Sequence, residues 1–430
     1  MAEAFPDRAA ILMAQEEKLR ALMGKILPSN KFYSAKFKKT EGEGDFKNLE
    51  TFCRHAPFTT KPELEQDQRS HPPYGSNLTW ALDKYTRYHQ TSGTSGRAPL
   101  RWLDTPESWN WMVENWEQVH RAAGVTNADR AFFAFSFGPF IGFWLAFEAA
   151  ERLGCLCFSG GGLSTVARLH SIFENAATLL CCTPSYAIRM GEVAESSRME
   201  LPRRSKVRLI IVAGEPGGSI PATRQRIEQL WPGARVFDHH GMTEIGPVTY
   251  QCPAKPSLLH VLESGFIAEI LKADTTEPVP CGTAGELVLT NLGRTGSPLL
   301  RYRTGDLVKA AIAPVCACGR SELALEGGIL GRVDDMVVIR GVNVYPTAVE
   351  EIVRGCGDVA EYQVHVSHAG ALAEMRIEVE PSPTCRDISA LLARLENSFE
   401  ACMALRVPLQ AVPAGTLPRF EMKAKRWTKD

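Results

Sequence analysis

The middle of the chain alternates short apolar runs with stretches of helical spacing. Residues 131–137 are aromatic and apolar, 138–153 repeat apolar positions every three to four residues, and 155–158 form another short apolar run. Residues 177–183 renew the strand pattern, and 208–212 read as a buried β-branched strand. A turn follows through Gly214, Glu215, Pro216, Gly217 and Gly218, and then a helix starting near Ser219 with Pro221 in its first turn, where a missing N–H costs nothing. Residues 235–237 resume a strand. Short buried strands alternating with helices predict an α/β domain built on parallel sheet.

Beyond Cys252 the pattern changes. Residues 265–271 and 285–290 read as strands of an antiparallel, barrel-like piece. From Asp334 onward the chain reads as a small α+β unit, with strands over 336–339, 362–366 and 374–380 and a helix over 388–405. The expected organisation is a large N-terminal domain, residues 1–330, and a C-terminal lid, residues 331–430. The N-terminus predicts an amphipathic helix over 6–23 that decorates the surface.

Composition narrows the function. Apolar residues make up 44% and charged residues 23% of 430, an ordinary globular balance. Lys plus Arg number 48 against 49 Asp plus Glu, a net charge of −1, which argues against nucleic-acid and membrane-surface partners. No run approaches the roughly 20 apolar residues of a membrane span, and the charged N-terminus lacks a leader's apolar core, so a cytoplasmic location is expected. The twelve cysteines include an adjacent pair, Cys181 and Cys182, inside an apolar run, as buried small hydrophobes do, and predict no disulfide framework.

Five segments carry candidate chemistry. Thr91, Ser92, Gly93, Thr94, Ser95 and Gly96 form a small-residue, hydroxyl-rich loop that can wrap phosphate oxygens, although no Walker-type Gly-Lys-Ser/Thr follows. A surface turn is the plain alternative. His239, His240, Gly241, Met242, Thr243 and Glu244 follow a buried strand, where ligands gather in open α/β sheets. Glu244 suits Mg²⁺, which prefers oxygen ligands. Asp306, in a Tyr-Arg-Thr-Gly-Asp run, can accept two hydroxyls at once. Arg332 with Asp334, and Lys423 with Lys425 in a basic tail, complete the set.

In this order and spacing the five segments resemble the adenylate-forming acyl-CoA synthetase superfamily, and within it the phenylacetate–CoA ligase family, from about Pro57 to Arg426. The resemblance implies that Thr91 to Gly96 hold the ATP phosphates, that Gly214, Glu215 and Pro216 flank the adenine, and that His240 stacks on it. It implies Thr243 at the α-phosphate, Glu244 on Mg²⁺, Asp306 on the ribose with Arg332 nearby, and Lys423 at the reacting centre. Acid plus ATP would give acyl-AMP and pyrophosphate, and coenzyme A would displace AMP after the lid rotates about a hinge near Asp334. A carrier-protein thiol or an amine is the rival acceptor, and a non-catalytic acid or nucleotide sensor the rival class.

Three positions depart from the family pattern. His240 stands where Tyr is usual; Phe135, Ser136, Phe137, Gly138, Pro139 and Phe140 replace a Tyr-Gly-Tyr-Gly-Leu-Phe type segment; and Met422 stands where Gly is frequent, which makes Lys425 the reserve for the catalytic lysine. The first two lie by the expected acid pocket. Phe135, Phe137 and Phe140, with Ser136 and His239 or His240 as polar neighbours, point to a planar aryl acid bearing a polar substituent. Cys252, His260, Cys316 and Cys318 make a Cys₃His set of the kind structural zinc uses, a set the family also resembles. A homodimer stays open.

Overall fold

The computed structural model describes residues 5–38, 48–91, 99–313, 315–340, 342–367, 373–420 and 424–429. Helix α1 (Arg8–Ile26) starts at Asp7, whose carboxylate accepts from the Ala10 amide, the usual way to satisfy a free helix-end N–H. It is more than a surface decoration. Leu19, Leu22, Met23 and Ile26 bury into a core with Tyr33, Phe52, Ile267 and Leu300, and Gln15 Nε2 donates to the Phe266 carbonyl at 2.7 Å.

Strands β1 (Arg87–Gln90) and β2 (Arg101–Asp104) pair antiparallel, with Gln90 opposite Arg101, so the hydroxyl-rich segment begins where this ladder ends. Helix α2 (Pro106–Ala122) is capped by Thr105. Then β3 (Arg130–Phe133), α3 (Gly142–Arg152), β4 (Leu156–Ser159), α4 (Thr165–Glu174), β5 (Leu179–Cys182), α5 (Pro184–Ser196), β6 (Leu209–Val212), α6 (Pro221–Leu230) and β7 (Arg235–Asp238) build a five-stranded parallel sheet in the order β4-β3-β5-β6-β7. Strands β5 and β6 are buried at every position, which is why they read as unbroken apolar runs. Alternate side chains serve opposite faces: Phe133, Cys181 and Ile211 join the core under α2 and α3, while Phe132, Leu180 and Ile210 join the core under α4, α5 and α6. Burial pushes the Cys181 and Cys182 thiols well above their usual pKa, so they act as small hydrophobes. β3 stops four residues short of the apolar run's end, and Phe137, at that end, takes φ +50°.

The antiparallel part comprises two sheets. β8 (Thr249–Gln251), β9 (Leu258–Val261) and a strand over Ala324–Glu326 form one. Phe266–Leu271, Ala284–Asn291, Tyr302–Lys309 and Gly331–Arg332 form the other, with Asp306 opposite Arg332. From Val337 onward the side chains enter a separate core. There α7 (Pro346–Gly355) and α8 (Ile388–Met403) cover a four-stranded sheet of Leu409–Ala411, Glu374–Pro381, Val359–Ser367 and Trp427–Lys429. Leu391, Leu395 and Phe399 lie fully buried on one stripe of α8, each contributing about 1.5–3 kcal/mol by leaving water. Among the described residues no helix is long and apolar enough to cross a membrane.

Candidate active site

The carboxyl ends of β5, β6 and β7 lie side by side at one edge of the parallel sheet. β7 ends at Asp238, and pleat alternation sends the next two histidines apart. His239 turns into the core: Nδ1 lies 2.6 Å from the Thr249 carbonyl, and its ring centroid lies 4.2 Å from that of Trp116. Burial lowers its pKa to about 3, so the ring is neutral, with Nδ1–H donating to Thr249 and Nε2 left as an acceptor. His240 turns the other way, its Nε2 3.0 Å from Asp306 Oδ2. That approach is off the line of a hydrogen bond, and Asp306 Oδ2 is otherwise unpartnered.

Asp306 is buried, and its other oxygen accepts from Arg332 NH1 at 3.1 Å. Arg332 also binds Asp334, with Nε 2.8 Å from Oδ1. Four residues along the chain from His240, Glu244 is buried and accepts only the Tyr302 hydroxyl, at 3.2 Å, among the described residues. Burial, and then the Glu244 charge, hold the Tyr302 phenol well above its ordinary pKa, so it stays a donor. No Lys or Arg among the described residues stands within ion-pair distance of Glu244. A buried carboxylate without a protein cation fits a ligand set for a hard divalent cation.

The glycine-rich turn before α6 packs against the same strand end. Gly214 takes φ +96°. A Cβ on Gly218 would stand 2.3 Å from Asp238 Oδ1, so glycine is needed there. Glu215, expected beside an adenine, spends its carboxylate on two backbone amides: Ser185 N in the first turn of α5 at 2.9 Å, and Ala424 N in the C-terminal tail at 2.7 Å. A helix N-terminus attracts a carboxylate for the reasons that make it an anion site. Thr91 is buried; its amide donates to the Leu100 carbonyl and its hydroxyl accepts the Leu100 amide, both at 3.0 Å, closing the neck of the loop. Ser92, Gly93, Thr94, Ser95, Gly96 and Lys423 lie outside the described residues. Lys425 is described, and it is exposed.

The aromatic segment forms a cluster. The rings of Phe135 and Phe137 stack at 4.1 Å, Phe135 meets Phe143 at 4.7 Å, and Phe137 meets Trp144 edge-on at 4.9 Å. The Pro139 carbonyl accepts the Gln90 amide at 2.8 Å, joining this loop to the hairpin of β1 and β2. Phe140 is half-buried and Ser136 is exposed.

The four predicted metal ligands converge. The ligand atoms of Cys252, His260, Cys316 and Cys318 all lie within 4.8 Å of one another. Cys252 Sγ is 3.5 Å from Cys316 Sγ, and Cys318 Sγ is 3.4 Å from His260 Nε2. Ligands about 2.0–2.3 Å from a tetrahedral Zn²⁺ stand at such separations from one another. The donor set fits zinc and leaves no place for a substrate. Sequence reasoning missed the buried pair of Arg294 and Asp104 behind the Thr243 loop. The two residues lie 190 positions apart, and no local pattern links them.

Comparison with known proteins defines the class. Residues 84–293 match the AMP-binding enzyme family, and residues 341–430 match the AMP-binding enzyme C-terminal domain. A phenylacetate–coenzyme A ligase of Thermus thermophilus is 30% identical over 436 residues, covering 96% of this chain and 95% of that protein. A crystal structure of 2-hydroxyisobutyryl-CoA ligase in the postadenylation state superposes with a TM-score of 0.92 at 25% identity, covering 99% of this chain and 91% of that one. The same ligase in the thioesterification state gives 0.70 at 25% identity, covering 100% and 94%. The fold and its neighbours are those of adenylate-forming acid–CoA ligases. The chain belongs to the phenylacetate–coenzyme A ligase family of AMP-binding enzymes.

Proposed function

We propose that this ligase activates an aryl carboxylic acid bearing a polar ring substituent and transfers it to coenzyme A. In the first half-reaction a carboxylate oxygen attacks the α-phosphorus of ATP, and pyrophosphate leaves as acyl-AMP forms. In the second the coenzyme A thiolate attacks the acyl carbonyl, and AMP leaves.

Glu244, buried and with no Lys or Arg at ion-pair distance among the described residues, carries this reading, because such a carboxylate suits an oxygen ligand for a nucleotide-bound Mg²⁺. Mg²⁺, when bound, neutralises charge on the phosphate oxygens. The loop from Thr91 through Gly96 and Thr243 hold the phosphates, and Asp306 accepts ribose hydroxyls beside Arg332. Gly214, Glu215 and Pro216 line the adenine through their backbone, with His240 beside them. Lys423 supplies the cation at the reacting centre, because adenylyl transfer depends on placed charge more than on covalent help. Residues 1–330 and 331–430 act as body and lid, with the hinge near Asp334. Zinc on Cys252, His260, Cys316 and Cys318 is structural.

Phe135, Phe137 and Phe140 support an aryl acid, as apolar pockets with a few placed polar groups do. Ser136 suits a ring hydroxyl or amine, whereas His239 is turned into the core against Trp116 and His240 toward Asp306. Acid-dependent ATP–pyrophosphate exchange over a panel of aryl and alkyl acids tests the proposal. Substituted benzoates or arylacetates should give the highest kcat/KM, because a site built to bond a substituent rejects the acid lacking it. Faster exchange with a medium-chain fatty acid would remove the aryl pocket from the reading, and a best substrate without a substituent would remove its polar part.

A further inference from the structure

Arg294 is fully buried, and so is its partner Asp104. The guanidinium grips Asp104 with both edges of its fork, Nε to Oδ1 and NH2 to Oδ2, each at 2.7 Å. Its remaining arm, NH1, donates to the Thr243 carbonyl at 2.8 Å. Asp104 ends β2 opposite Arg87, at the base of the hairpin and three residues along the strand from the Gln90–Arg101 pair where the hydroxyl-rich segment begins, so this carboxylate anchors the hairpin at its base. Thr243 precedes Glu244. One planar side chain therefore ties the base of this hairpin to the Thr243–Glu244 loop.

The turn bearing Arg294 is held independently. A Cβ on Gly293 would stand 2.2 Å from Trp111 Cδ1 on α2. The Gly296 amide donates to Ser108 Oγ at 3.0 Å, and Ser297 Oγ donates to the Leu103 carbonyl at 2.9 Å. Because these contacts fix the turn against α2 and β2, the ion pair is not needed to seat it. A buried ion pair is also weak ground for stability, since desolvation offsets most of its Coulomb gain and an apolar pair of similar volume is often as stable. A three-armed, planar donor is strong ground for geometry.

We infer that Arg294 is a positioning residue for adenylation, setting the distance between the phosphate hairpin and the Thr243–Glu244 loop through Asp104. The inference rests on the assignment of Thr243 and the hairpin to ATP. Misplacing reacting groups by about 1 Å costs roughly 10²-fold in rate, and that is the scale of effect expected.

The test compares Arg294→Lys, the double variant Arg294→Met/Asp104→Leu, and Thr243→Ala, by thermal midpoint and by acid-dependent ATP–pyrophosphate exchange well below each midpoint. Arg294→Lys keeps the charge opposite Asp104 but cannot span both carboxylate oxygens and the Thr243 carbonyl. It should fold and lose about tenfold in kcat, with the KM for the acid within about threefold of wild type. The double variant should be at least as stable as Arg294→Lys yet lose about 10²-fold in kcat, so that activity and stability rank in opposite orders. Arg294→Lys at wild-type kcat overturns the inference, as does a folded double variant at wild-type kcat. If the double variant fails to fold, Arg294→Lys alone decides. A silent Thr243→Ala would remove the ATP assignment itself, a failure separate from that of Arg294.

Discussion

A single cation has to meet the charge that gathers on the carboxylate and the α-phosphate as they react, and Lys423 is the residue assigned to it. The next amide along, Ala424 N, is held by Glu215, which fixes the tail one residue past the lysine, while Lys425 is exposed. Electrostatic stabilisers of this kind are worth about 10²–10³ in rate. Lys423→Ala should therefore abolish acid-dependent pyrophosphate exchange while ATP binding, read by calorimetry, survives; an active Lys423→Ala alongside a dead Lys425→Ala would move the role two residues on. Three other residues set a pH dependence. Burial lowers His89 and His120 to about 4 and His239 to about 3, whereas an unfolded histidine titrates near 6.5. Below about pH 6.5 the unfolded state binds up to three more protons than the folded state, so stability falls as pH falls. Glu322, pushed up to about 7 by burial, works in the opposite sense over the same range, so at about 1.4 kcal/mol per residue per pH unit urea unfolding should show roughly 2 kcal/mol less stability at pH 5.5 than at pH 7.5. Stability that holds or rises as pH falls over that range would mean these imidazoles are protonated in the folded chain. His239 also marks a limit of the sequence. Adjacent histidines look alike in it, and only the pleat and the ring of Trp116 decide which one turns toward Asp306.

Among the elements, buried strands were the most legible, because β5 and β6 carry no polar position for alternation to confuse. The end of β3 was not, since the positive φ at Phe137 belongs to a turn that tertiary packing imposes. The role of α1 was also hidden: its buried stripe meets Ile267 and Leu300, partners that only the folded chain brings near. The Cys₃His set was legible because Cys316 and Cys318 leave almost no freedom between them. It clasps β8, β9 and the turn at Gly319, and Arg320 in that turn lies over the rings of Phe5, 4.1 Å from its centroid, and of Tyr250, at 5.4 Å. Metal binding here should couple to the stability of this corner. Protein purified without chelator should contain one zinc per chain by elemental analysis, and Cys316→Ser should lose both metal and thermal stability. Zinc near zero in the wild type would leave the four side chains as an unmetallated cluster and end the assignment.

At the scale of the whole molecule, the C-terminal domain sits more as it does in the postadenylation state of the 2-hydroxyisobutyryl-CoA ligase than in that protein's thioesterification state, with TM-scores of 0.92 and 0.70. Polar contacts help to hold it there. Helix α6 has no side-chain cap of its own; Glu351 of the lid supplies one, accepting the Ala222 amide at 3.2 Å, and Thr223 Oγ1 lies 3.4 Å from Glu350 Oε1. Arg426 NH2 reaches Ser185 Oγ at 3.4 Å, next to the Glu215 carboxylate that holds Ala424. A carboxylate at a helix N-terminus is worth about 0.3–1 kcal/mol when exposed and up to about 2 when partly buried. With the lid rotation proposed above, that contact would be lost, and Glu351 would bias the equilibrium between orientations by about twofold to thirtyfold. Glu351→Ala should therefore slow pyrophosphate exchange by up to that factor while leaving single-turnover transfer from synthetic acyl-AMP to coenzyme A unchanged or faster. The asymmetry is the point of the measurement, because general destabilisation would slow both half-reactions together. An equal loss in both would show that Glu351 caps a helix without selecting a conformation.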